Sequence, residues 1–312
     1  MGWLNLMEDK NKLQEEIIKA DLRNDEKMWK SLDEACTLNS FLEKMTKDEL
    51  VKIAKKYAVR GITTLKKADV VEKMVTVVLE NAKVALELME ESSLKYIEEL
   101  LKVNGLKKYE CNEMIYINYL RNRGLAFSGV KNDEAFVVIP EELKSVISGH
   151  LNKDLKDKAR LNEEVIKAIS GMVYYYGVCK IDFIKSNIKN IFGTSFDESY
   201  INTLITNGEE LGYDYVVDGD MLCNIDVEDV EKILKLQEEC KNDYYKFDKK
   251  SLIKAGEPDF IEENKQAEKL KKVFRELFVI DNNILREEMD SFIIAIKNEM
   301  SKDEAETIKI KF

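Results

Sequence analysis

Proline occurs only twice in these 312 residues, at Pro140 and Pro258. Proline is the strongest local breaker of helices, so its near absence leaves long stretches open to helix. Thirteen glycines leave little room for long structureless linkers. Lysine, glutamate, leucine and isoleucine fill much of the chain, and most of these are good helix formers. At 45% hydrophobic and 35% charged the composition is that of a globular protein and not a disordered one. The length suits two or three domains, each able to bury a core. The expected fold class is mainly α with small β-hairpins.

Phe41–Val78 is the most informative segment. Thr46 and Glu49 have the spacing of a capping box, with Met45 and Leu50 placed for the hydrophobic staple across it. Leu50, Ile53, Ala54 and Tyr57 then mark one buried helical face. Gly61 supplies a turn, and a second helix beginning near Lys67 buries Val70, Val71, Met74 and Val78. Between Lys44 and Lys73 stand nine basic residues against four acidic ones (Asp48, Glu49, Asp69, Glu72), a net +5 in a chain of formal charge −11. A chain this acidic is repelled by phosphate backbones unless its basic residues are segregated, and here they are.

The run MTKDELVKIAKKYAVRGITTLKKADVVEKMV resembles the small helical domain at the N-terminus of transcription terminator Rho and, more loosely, SAP and helix-extension-helix modules. The resemblance rests on Leu50, Gly61, Leu65-Lys66-Lys67 and Val70-Val71 and covers roughly a tenth of the chain. It implies a nucleic-acid setting, with DNA or RNA as partner. The chain is also similar to clostridial-type proteins that join a Rho-N-like segment to a cysteine-rich SEC-C metal motif. This chain ends EAETIKIKF, without that motif, so no zinc role is carried over.

Five segments are expected. Residues 1–40 read as amphipathic helices packed on the body, and 41–90 as the Rho-N/SAP-like module, with a new helix cap at Ser92-Ser93. In 93–150, two helices ended by Gly105 and Gly124 precede two short strands around Lys131-Asn132-Asp133, a winged-helix-like order. Pro140 with Glu141 and Glu142 then opens another helix. In 161–226 a helix, a short strand at Val178-Cys179, two helices and a hairpin turning at Asp218-Gly219 repeat the winged layout. Region 227–312 is helical, ending in an antiparallel pair whose apolar positions are Leu270, Val273, Phe274, Leu277 and Phe278 against Leu285, Met289, Phe292, Ile293 and Ile296.

A helix entering the major groove needs outward Arg, Lys, Asn or Gln. The last helix before the second hairpin offers Asn202 and Asn207 among Asp197, Glu198, Glu209 and Glu210, and no lysine or arginine, which suits a protein-interaction wing. The first unit carries Arg121, Arg123, Lys107 and Lys108, diluted by Glu110 and Glu113. The Lys265, Lys269, Lys271, Lys272, Arg275 cluster is interleaved with acids and is expected to pair within its helix. Tyr174-Tyr175-Tyr176 has rings able to stack bases, though consecutive helical residues do not share a face and two are expected in the core.

Catalysis finds no signature. The single histidine, His150, supplies neither HExxH nor a zinc-finger quartet, and no P-loop, GxGxxG or GxSxG occurs. The five cysteines (Cys36, Cys111, Cys179, Cys223, Cys240) form no CxxC pair and read as reduced thiols of a cytoplasmic protein. No signal peptide or membrane span is expected. The expected function is a non-enzymatic, nucleic-acid-associated regulator, without metal or cofactor, whose phosphate contacts are Lys52, Lys55, Lys56, Arg60, Lys66 and Lys67. The alternative is a protein–protein adaptor using the acidic winged-helix-like unit and the C-terminal helices.

Overall fold

Few prolines and dense helix formers lead to a mainly helical chain with two small antiparallel three-stranded sheets. The computed structural model describes residues 18–19, 26–193, 196–240, 244–262, 265–277 and 281–298. Of the helices expected over 1–40, residues 1–17 and 20–25 lie outside the described residues, as does the C-terminal EAETIKIKF, while 26–37 is turns and extended chain instead of helix and 38–40 opens the first helix. The chain divides into two compact units, Met1–Glu163 and Glu164–Phe312. Segments 1–40, 41–90 and 93–150 fall in the first, and 227–312 in the second together with nearly all of 161–226.

The first unit contains α1 (Leu38–Lys44), α2 (Lys47–Lys56), α3 (Lys67–Glu87), α4 (Glu91–Lys102), β1 (Leu106–Lys108), α5 (Met114–Arg121), β2 (Phe127–Lys131), β3 (Glu134–Val138) and α6 (Glu141–His150). Val70, Met74, Val78, Ala82 and Leu86 recur every fourth residue along α3 and are all buried. That stripe receives α1, α2 and α6. Burying each large aliphatic side chain contributes roughly 1.5–3 kcal/mol against the entropy of ordering it. Helix α4 is capped by Glu90, whose carboxylate accepts the Ser93 N–H at 2.7 Å, so the cap stands ahead of the expected Ser92-Ser93. The hairpin turns at Asn132 and Asp133, both with positive φ (52° and 61°), the two-residue turn that matches strand twist. β3 sits between β1 and β2. The outer edge of β2 is itself paired: Leu32 N–H donates to Val130 O at 2.9 Å, and Val130 N–H to Lys30 O at 3.0 Å.

The second unit begins within α7 (Lys153–Tyr176), from Glu164 on, and continues with β4 (Val178–Lys180), α8 (Ile181–Phe192), α9 (Glu198–Glu210), β5 (Tyr215–Asp218), β6 (Met221–Asn224), α10 (Val230–Glu239), α11 (Lys249–Ala255), α12 (Lys265–Leu277) and α13 (Asn282–Lys297). The order helix, strand, helix, helix, hairpin is the one expected, with β6 between β4 and β5. Its core joins Val165, Ile169, Met172, Ile184, Ile188, Ile201, Leu204, Tyr215 and Leu222. The backbone of α11 lies directly on α7. A Cβ at Gly171 would fall onto the Leu252 carbonyl, and one at Gly256 onto that of Lys167. The edge of β5 is closed by Glu209, whose Oε1 accepts the Val217 N–H at 2.8 Å, and that of β4 by Gln237, whose Nε2 donates to Val178 O at 3.1 Å. Helices α12 and α13 share a small core of Ala267, Leu285 and Met289 with Leu270 and Phe274.

Candidate nucleic-acid interface

The α2–α3 hairpin is built to hold its cations outward. Thr46 Oγ1 accepts the Glu49 N–H, and Glu49 Oε2 accepts the Thr46 N–H at 2.6 Å, completing the capping box. Leu50, Ile53 and Ala54 are buried, which leaves Lys52 on the opposite face with Lys55 and Lys56 one turn on. At the C-terminus of α2, Ala58 and Gly61 take positive φ (53° and 72°) and reverse the chain. Nζ of Lys47 donates to Thr63 O at 2.7 Å and ties the turn back to the start of the helix. Lys66 is the N-cap of α3 and makes no side-chain cap bond.

Lys52, Lys55, Lys56, Arg60, Lys66 and Lys67 are all exposed. Lys67 donates to Glu43 O at 2.6 Å, a contact that leaves its charge uncompensated. Lys52, Lys55, Arg60 and Lys66 have no ion pair among the described residues, and the exposed Asp48, Asp69 and Glu72 pair with none of them. Like charges three and four residues apart repel by a few tenths of a kcal/mol each. Lys52 with Lys55 and Lys56 therefore carries a small cost that an anion would relieve. Lys55 and Lys56 do suit the negative end of the α2 dipole; Lys66 and Lys67, at the positive end of α3, do not.

The other basic residues of this unit are used internally. Arg121 is 7% exposed and its Nη2 meets Glu49 Oε1 at 2.7 Å. Arg123 is 5% exposed, donates to Tyr119 O at 2.8 Å and lies 3.5 Å from the centroid of the Tyr119 ring. Lys107 is bonded to Glu113 beside Glu99 and Glu110, and Lys108 pairs with Glu134 at 2.8 Å. Both arginines are thus structural. Burial pushes the Glu49 carboxyl up, but the Thr46 N–H and the Arg121 guanidinium outweigh it and hold the group below its usual range. Glu49 therefore serves two masters, the α2 cap and a nearly buried arginine 72 residues away. Sequence spacing revealed only the cap. Tyr57, at the end of α2, donates its hydroxyl to Arg123 O at 2.6 Å and clamps the hairpin a second time.

In the second unit Asn207, one of the two asparagines the last helix before the hairpin offers, is 1% exposed because its stretch of α9 packs inward. Asn202 is exposed. All three rings of Tyr174-Tyr175-Tyr176 are engaged by other rings: Tyr174 with Phe260, Tyr175 stacked on Phe247 at 3.8 Å, Tyr176 with Phe183 and Tyr244. Of the α12 cluster, Lys271 pairs with Glu268 at 2.9 Å and Arg275 bonds Asn282 at 3.3 Å. Lys265, Lys269 and Lys272, expected to pair within the helix, have no ion pair among the described residues.

His150 ends α6 and lines a cavity of about 290 Å³ with Lys83, Glu87, Asn152, Asp154, Leu155 and Lys158. The five cysteines are free thiols, and burial pushes Cys179 up to about 12, which makes it a poor nucleophile. No helix among the described residues is long and apolar enough to cross a membrane. No protein-family model, curated protein or solved structure matches the chain.

Proposed function

We propose that this chain is a non-enzymatic, nucleic-acid-associated regulatory protein that grips phosphate backbones with the α2–α3 hairpin. One observation carries the reading: Lys52, Lys55, Arg60 and Lys66 are exposed and without ion pairs among the described residues, whereas Arg121, Arg123, Lys107 and Lys108 are consumed by internal contacts. A protein of net charge −11 that keeps one small basic face uncompensated has the segregation phosphate binding requires. The helix pair around Gly61, α2 with the start of α3, supports the likeness to the Rho N-terminal module. The helix–strand–helix–helix–hairpin order of the second unit supports a winged-helix-like fold for that unit. In this reading α9 does not enter a groove, because it carries no lysine or arginine and Asn207 is buried.

The test is the affinity for labelled single-stranded and duplex DNA and RNA, measured by fluorescence anisotropy over a salt series. Four engaged cations give a log K against log salt slope of about −3 to −4. Reversing Lys55 and Lys66 to glutamate should flatten the slope by about two. No binding at low salt, or an unchanged slope in the variant, sinks the reading.

A further inference from the structure

Helix α12 carries an exposed surface that its own unit leaves open. Ala267, Leu270 and Phe274 face α13 and Met289. Beside them Val273 is 47% exposed and Leu277 68% exposed, both expected from sequence to lie inside the helical pair. Val273 and Leu277 stand one turn apart on one face and form a short apolar seam at the rim of the α12–α13 core, bordered by half-buried Leu270. Lys265, Lys269 and Lys272 are spaced four and three apart, so they form a second ridge parallel to the first. None of the three has an ion pair among the described residues.

An apolar seam flanked by a lysine ridge selects its occupant by charge. A second copy of α12 laid in the seam would set lysine ridge near lysine ridge, with five basic residues against two acidic on each helix. An anionic lipid surface needs a broad apolar face, and here two exposed aliphatic residues stand on a helix whose outer side is mostly charged. A single acidic amphipathic helix satisfies both ridges together, its leucines on Val273 and Leu277 and its carboxylates on Lys265, Lys269 and Lys272. We propose that α12 docks an acidic amphipathic helix of a partner protein along this seam. The proposal concerns the second unit and stands independently of the phosphate contacts assigned to α2–α3.

The test uses the full chain and a labelled designed peptide of about three heptads, with leucine at a and d and glutamate at e and g. A matched peptide with lysine at e and g is the control. The acidic peptide should bind and the basic one should not. Leu277→Asp should weaken binding at least about tenfold. Lys265→Glu/Lys269→Glu/Lys272→Glu should reverse the preference toward the basic peptide. All these side chains are exposed, and far-ultraviolet circular dichroism checks that each variant folds. Equal binding of both peptides, or none, overturns the proposal. So does co-sedimentation with phosphatidylserine vesicles that the peptide does not displace, or a concentration-dependent dimer abolished by Leu277→Asp.

Discussion

Removing the Glu49 carboxylate strikes two structures at once. The first is the capping box, whose loss costs about 1 kcal/mol. The second is the pair with Arg121. Stranding one member of a fully buried pair costs roughly 3–5 kcal/mol, but the Glu49 side chain remains 24% exposed, so about 2 kcal/mol is the fitting figure here. Glu49→Ala should therefore destabilise the first unit by about 3 kcal/mol in urea unfolding. Thr46→Ala removes only the cap and should cost about 1 kcal/mol. Arg121→Met fills the same space with apolar atoms, so the double variant Glu49→Ala/Arg121→Met should recover about 2 kcal/mol relative to additivity. The pH dependence carries its own sign. The folded carboxyl lies below its ordinary 4.5, so its contribution is whole above that value and is lost as pH falls through the folded pKa. A Glu49→Ala cost under about 1 kcal/mol, or a coupling near zero, would refute the claim that one carboxylate holds both α2 and Arg121.

Gly171→Ala should destabilise the second unit by about 2 kcal/mol or more despite alanine's better helix propensity, because its Cβ meets the Leu252 carbonyl; a neutral or raised midpoint in chemical denaturation contradicts that packing. Tyr57→Phe should cost about 1 kcal/mol through the lost bond to Arg123 O, and an unchanged unfolding curve counts against the clamp. Burial lowers Lys297 to about 8, where its Nζ lies over the Tyr174 ring and donates to Tyr174 O. The unfolded chain then holds that proton to higher pH, so wild-type stability should gain on Lys297→Met between pH 8 and the ordinary lysine value of 10.5; parallel curves in that window defeat the assignment.

Local signals with a firm chemical cause were legible in the sequence. Thr46/Glu49, Gly61 and Asp218-Gly219 each stand where the backbone uses them, because capping and left-handed turns are decided within a few residues. Strand β1 was not legible: three residues, Leu-Lys-Lys, have no periodicity and become a strand only through pairing with Phe136–Val138. Helix α7 begins at Lys153, earlier than the strongly apolar run suggests, because buried Leu155 and Ala159 already share a face in its polar first turns. At the candidate site the six basic positions were readable as charge. That Lys52, Lys55, Arg60 and Lys66 have no ion pair among the described residues was not, since pairing depends on neighbours far along the chain, as Arg121 with Glu49 and Lys108 with Glu134 show. Val273 and Leu277 fit the helical period of a buried face, yet the core shared with α13 takes only Ala267, Leu270 and Phe274 from α12.

Three of the four sheet edges are occupied, which limits how anything else can join this protein there. Segment Lys30–Leu32 occupies β2, Glu209 takes the outward N–H of β5, and Gln237 takes a carbonyl of β4. A visitor that adds a strand at any of these three edges must first evict the group that holds it, whether it is a regulatory peptide or the next chain in a growing fibril. Glu209 is the easiest of the three to remove, being a single carboxylate. A glutamate-to-alanine change there should convert a discreet surface into a template, with self-association as its first symptom.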